Sequence, residues 1–137
     1  METKLGEPRA YISGPISGMP MGNVAAFSFC ADVLDTIFGW DSINPHNIRP
    51  FEHPGQDCPP GPNSPDTSSH NSPCHLKADI EALVQADCIV MLRGWEHSAG
   101  ARLELSVAAA CALPVWFFNN ETAELHSAEG SFSSKDF

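Results

Sequence analysis

Residues 79–104 read DIEALVQADCIVMLRGWEHSAGARLE, and the hydrophobic period changes twice along them. From His75, the spacing of Leu76, Ile80, Leu83 and Val84 predicts a helix. CIVML (88–92) is a continuous apolar run of strand length, as expected of a strand buried on both faces. Ser98 suits an N-cap, so a second helix is expected from there to about Cys111, ended by Pro114. VWFF (115–118) then predicts another strand.

Upstream the pattern repeats. RAYIS (9–13) reads as a strand that stops at Gly14 and Pro15, and Val24, Phe27, Ala31, Leu34 and Phe38 follow at helical spacing. After Gly39, WDSIN (40–44) is a second short strand closed by Pro45. Strands alternating with helices predict an α/β fold: a single doubly wound, flavodoxin- or Rossmann-like parallel sheet of four to five strands flanked by helices. Ligands bind such sheets beyond the carboxyl ends of the strands. The segments expected there are Gly14 to Gly22, Asn44 onward, and Arg93 to Ser98.

At 137 residues the chain is expected to be one domain, 1–137. Residues 45–73 hold eight of its 12 prolines, so neither helix nor ladder is expected there; the stretch reads as a long loop, either a lid or a disordered insertion. The tail from Asn119 is polar and weakly patterned. A formal charge of −10 repels a phosphate backbone, which argues against polymeric DNA or RNA as partner, while a small anionic ligand needs only local donors. No apolar run long enough to span a bilayer and no signal peptide is evident, so a cytoplasmic protein without membrane contact is expected. Cys30, Cys58, Cys74, Cys88 and Cys111 are odd in number and lack a CxxC pair, which predicts no disulfide framework.

Two acids lie on apolar helix faces. Asp79 is three residues after Leu76 and four before Leu83, and Glu104 has Gly100, Ala101, Val107 and Ala108 at the same spacings. A carboxylate so placed needs a partner, a raised pKa or a ligand. Paired acid chemistry is one reading; the other has Asp79 capping a local amide and Glu104 paired with Arg102 or Arg93. The glycines of GPISGMPMG (14–22) suit close backbone approach to a ligand, or simply a tight strand-to-helix turn. Ser98 and Gly100 at a helix start offer an anion site, or a plain cap.

Together YISGPISGM (11–19), DIEALVQADCIVML (79–92) and GWEHSAGARLE (94–104) resemble the nucleoside 2-deoxyribosyltransferase-like superfamily, and within it the small, often phage-borne members. That superfamily includes deoxyribosyltransferases and N-glycosidases acting on nucleoside 5′-monophosphates. The resemblance implies that Glu104 is a nucleophile, that Asp79 assists the departing base, and that Tyr11 helps hold the nucleophile. It places Gly14 near the sugar and Ser98 at a 5′-phosphate, with Ile16 among the substrate-binding residues. Pro15 and Ser17 stand where the monophosphate hydrolases carry a serine and an arginine, so Arg102 or Arg93 is the substitute cation. The resemblance also implies a homodimer or higher homo-oligomer and no cofactor.

The chemistry fits the residue types. Cleaving an N-glycosidic bond develops oxocarbenium character that a carboxylate stabilises or traps, while a second acid protonates the leaving base. Trp95 is a candidate wall for the base, or ordinary packing, and Tyr11 equally a core aromatic. His46, His53, Cys58, His70, Cys74 and His75 match no zinc spacing, so no metal is expected; no GxSxG elbow is present. The alternative to an enzyme is a non-catalytic nucleotide binder using the same pocket.

Overall fold

The computed structural model describes residues 8–49 and 73–128. Within them, β1 (Arg9–Ser13), β2 (Asp41–Ile43), β3 (Cys88–Leu92), β4 (Val115–Asn119) and β5 (Glu124–Ser127) form one sheet in the order β2-β1-β3-β4-β5. The first four strands are parallel and β5 pairs antiparallel with β4. Three helices connect them: α1 (Val24–Val33), α2 (Pro73–Val84) and α3 (Ala99–Ala110). This is the expected α/β architecture of a parallel sheet flanked by helices, except that its fifth strand is antiparallel.

Strand alternation divides the core in two. Ala10 and Ile12 of β1 with Cys88, Val90 and Leu92 of β3 face α1, where Phe27, Cys30, Val33 and Leu34 complete one cluster. Tyr11 of β1 with Ile89 and Met91 of β3 face α2 and α3, packing with Leu83, Ala101, Leu105 and Ala108. Each large apolar side chain buried in this way contributes about 1.5–3 kcal/mol. All five residues of β3 are buried, as the unbroken apolar run CIVML predicts for a strand covered on both faces.

The phase of α1 differs from expectation. Phe27, Cys30, Val33 and Leu34 are buried, whereas Val24, at the start of the helix, and Phe38 are exposed; at Phe38 the helix has passed into a π turn, Leu34–Phe38, that shifts the inward face. Gly39, at φ +72°, closes it with the Trp40 N–H bonded to the Leu34 carbonyl at 2.8 Å, a left-handed cap that glycine adopts without strain. The run Pro20–Phe38 spans 19 residues and is, by length and composition, apolar enough to cross a bilayer, which the sequence reading did not anticipate. Its inner face packs on the sheet, and left-handed backbone at Met21 and Gly22 interrupts it.

Two expectations about loops need correction. Pro45–Asn47 forms a 3-10 turn in which the Asn44 side chain accepts from the His46 N–H at 3.0 Å, and Pro73 opens α2, since proline costs nothing in a first helical turn. Residues 50–72, with His53, Cys58 and His70, lie outside the described residues. The polar tail contains β5, unanticipated because it is short. The Asn119 side chain accepts from the N–H groups of Glu121 and Thr122 at 2.8 and 3.2 Å, and this turn folds the chain back on β4.

Candidate active site

The connection from β1 to β2 runs one way along the sheet and those from β2 onward run the other, so the winding reverses between β1 and β3. Open α/β sheets bind ligands at such a reversal, beyond the carboxyl ends of the strands. There the chain forms a narrow cavity of about 10 Å³, room for about one water. Its polar wall is Asp79 from α2 with Ser98, Gly100 and Glu104 from the start of α3. Gly14 and Ile16 from the loop after β1 close one side, and Pro45, Leu76 and Ala101 the rest.

Helical periodicity puts the two acids here. Asp79 shares the buried stripe of α2 with Leu83, and Glu104 that of α3 with Ala101 and Ala108; Asp79 is 3% exposed and Glu104 6%. Glu104 is held from β1, where Tyr11 Oη donates to Oε2 at 2.8 Å and Ser13 Oγ donates to Oε1 at 2.6 Å. Neither Arg102 nor Arg93 is its partner. Arg102 is exposed on the far side of α3, about 200° around the helix from Glu104, and Arg93 pairs with Glu121 at 3.1 Å.

The acids differ in what compensates their charge. Burial pushes the Asp79 carboxyl up to about 8, with the negative charge of Glu104 adding to the effect. Burial also raises Glu104, to about 7, while the hydrogen bonds from Ser13 and Tyr11 work against the rise. A carboxylate that accepts two hydroxyl donors keeps its charge more readily than one that accepts none, so the proton of the pair rests on Asp79 and the charge on Glu104. Burial first, then the two acids, raises the Tyr11 phenol well above its ordinary value. It therefore stays an O–H donor.

Ser98 caps α3, accepting from the Ala101 N–H at 3.1 Å, and it lines the cavity. Gly14 is required by packing, because a Cβ there would lie 2.8 Å from Leu92 Cβ. Ile16 lines the cavity but Pro15 and Ser17 do not; the Pro15 carbonyl instead accepts from Asn23 Nδ2 at 2.9 Å. Trp95 stands apart from the acids. It packs against Phe117, ring centres 6.2 Å apart, and with Arg93, His97 and His126 lines a larger cavity of about 800 Å³ that contains neither acid.

Ser13 is the site residue that sequence reading missed. Its signal was the two-residue alternation of β1, which puts Ser13 on the same face as Tyr11. Among the described residues no group of three or more His, Cys, Asp or Glu side chains is placed to hold a metal ion.

A family described as a domain of unknown function, DUF4406, matches residues 8–117. The chain belongs to the DUF4406 family. No curated protein and no solved structure matches it. The DUF4406 match runs from the start of β1 into β4, so it takes in Tyr11, Ser13, Asp79, Ser98 and Glu104 and leaves β5 outside.

Proposed function

We propose that this chain cleaves or transfers at the N-glycosidic bond of a nucleoside or nucleoside 5′-monophosphate, ribo or deoxyribo, with Glu104 as nucleophile and Asp79 as acid. The observation that carries this reading is the unlike setting of the two buried acids: Glu104 accepts hydrogen bonds from two hydroxyls of β1, whereas Asp79 accepts none among the described residues. Asp79 gives its proton to the departing base as the C–N bond breaks, and a Glu104 oxygen bonds to the anomeric carbon. Water, or a second base in a transfer, then attacks that carbon. The electron pair returns to Glu104 and the proton of the attacking group returns to Asp79.

Ser98 and the N-terminus of α3 supply donors for an anionic group on the sugar. By the same resemblance, the proposal extends to a homodimer or higher homo-oligomer in the cytoplasm, without membrane or polymeric nucleic acid as partner.

Binding without turnover is the second reading, favoured by the absence of any Lys or Arg from the described cavity wall. The test incubates wild type and Glu104→Gln with ribo- and deoxyribonucleosides and their 5′-monophosphates, with and without a second free base. Base release by wild type, reduced about 10³-fold or more in the variant, supports the enzyme. No turnover, with thermal stabilisation of both proteins by one ligand, supports the binder.

A further inference from the structure

Strand β1 offers two hydroxyls to one carboxylate. Tyr11 and Ser13 are both fully buried, and each meets a different oxygen of Glu104, at 2.8 and 2.6 Å. A small apolar side chain would fill the Ser13 position equally well, so the hydroxyl answers to the carboxylate rather than to packing. Among the described residues, the titratable groups that face Glu104 are Tyr11 from β1 and Asp79 from α2. Arg93 and His97, just before α3, line the larger cavity, and Arg102 is exposed. Among the described residues, hydroxyls and not a cation stabilise the charge.

We propose that Ser13 is a positioning residue for the reaction above: its hydroxyl holds Glu104 ionised and fixes one of its oxygens, so that the proton shared by the two acids stays on Asp79. This rests on Glu104 being the nucleophile. It has a consequence for the second step. While Glu104 is bonded to the anomeric carbon it is a neutral ester, a weaker acceptor than a carboxylate. When water adds to that carbon and gives its proton to Asp79, the C–O bond to Glu104 breaks and its electron pair restores the carboxylate. Ser13 therefore favours breakdown of the glycosyl-enzyme.

Ser13→Ala, Ser13→Cys and Ser13→Thr test this against wild type. The Glu104 carboxyl carbon, assigned by its loss in Glu104→Gln, is titrated by ¹³C NMR. In Ser13→Ala the titration moves up by about one to two pH units, the loss of one hydrogen bond to a buried anion, and the acid limb of kcat/KM moves with it. Glycosyl-enzyme accumulates, detected as added mass on the intact protein. Ser13→Thr, which keeps the hydroxyl, moves both readouts back toward wild type; Ser13→Cys, nearly the volume of serine and a weaker donor, shows the same direction if the alanine variant does not fold. Base release by wild type with an unmoved Glu104 titration overturns the role of Ser13 alone. Absence of base release by wild type overturns the reaction, and the role with it.

Discussion

Replacing Asp79 by asparagine changes how stability depends on pH. In the unfolded chain an aspartate titrates near its ordinary value of about 3.9, whereas burial, with Glu104 adding to it, raises the folded-state value to about 8. Between these values the folded protein retains a proton that the unfolded chain releases, so stability is complete below about pH 4 and is lost as pH rises toward 8. At about 1.36 kcal/mol per pH unit over about four units, the loss has a ceiling of about 5–6 kcal/mol. Water entry and relaxation reduce it to several kcal/mol, still a large part of a typical folding free energy of about 5–15 kcal/mol.

Asparagine cannot titrate, and the cost of burying its amide is the same at every pH. Urea unfolding followed by circular dichroism at pH 5, 6, 7 and 8 then gives curves that cross. Wild type is the more stable protein at pH 5, and Asp79→Asn is the more stable at pH 8. The variant keeps a shallower slope, because Glu104 is also raised, to about 7. Parallel curves for the two proteins would refute the reasoning, since they would mean that Asp79 is ionised or hydrated in the folded state.

Gly14→Ala brings a Cβ within 2.8 Å of Leu92 Cβ and is expected to cost about 1–3 kcal/mol, read as a lower denaturation midpoint with little change in m-value. Cys30 and Cys88 are buried, and burial pushes each thiol up to about 12, with Asp87 adding to the rise at Cys88. Cys111 is exposed. An aromatic disulfide reagent at pH 8 is therefore expected to label Cys111 in the folded protein and Cys30 and Cys88 only after denaturation; rapid labelling of Cys30 in the native state would contradict the packing beneath α1.

The acids were readable in advance because helical spacing alone assigns a face: Asp79 shares one with Leu76 and Leu83, and Glu104 with Gly100, Ala101, Val107 and Ala108. The parallel sheet was readable for a similar reason, since CIVML has no polar face to present to water. Spacing failed where a neighbouring element sets the outcome. A π turn after α1 shifts the inward face away from Phe38, and β5 depends on the side-chain turn at Asn119 more than on its own weak alternation. Ser13 adjoins Gly14 and read as the end of a strand, while its partner lies 91 residues on. Trp95 follows the strand that leads to the site, yet its ring packs on Phe117, a contact that needs β4 in place.

The β1 hydroxyls also bear on how the sheet is aligned. Tyr11 pairs with Ile43 on one side and Ile89 on the other, and Ser13 with Met91. Sliding β1 by a single residue would turn both hydroxyls toward the hydrocarbon beneath α1 and bring Ile12 against Glu104, stranding an anion in oil. Misalignment is thus penalised by an unsolvated charge as well as by misplaced apolar side chains. The alignment of β1 with its neighbours is in that sense a property of the candidate site.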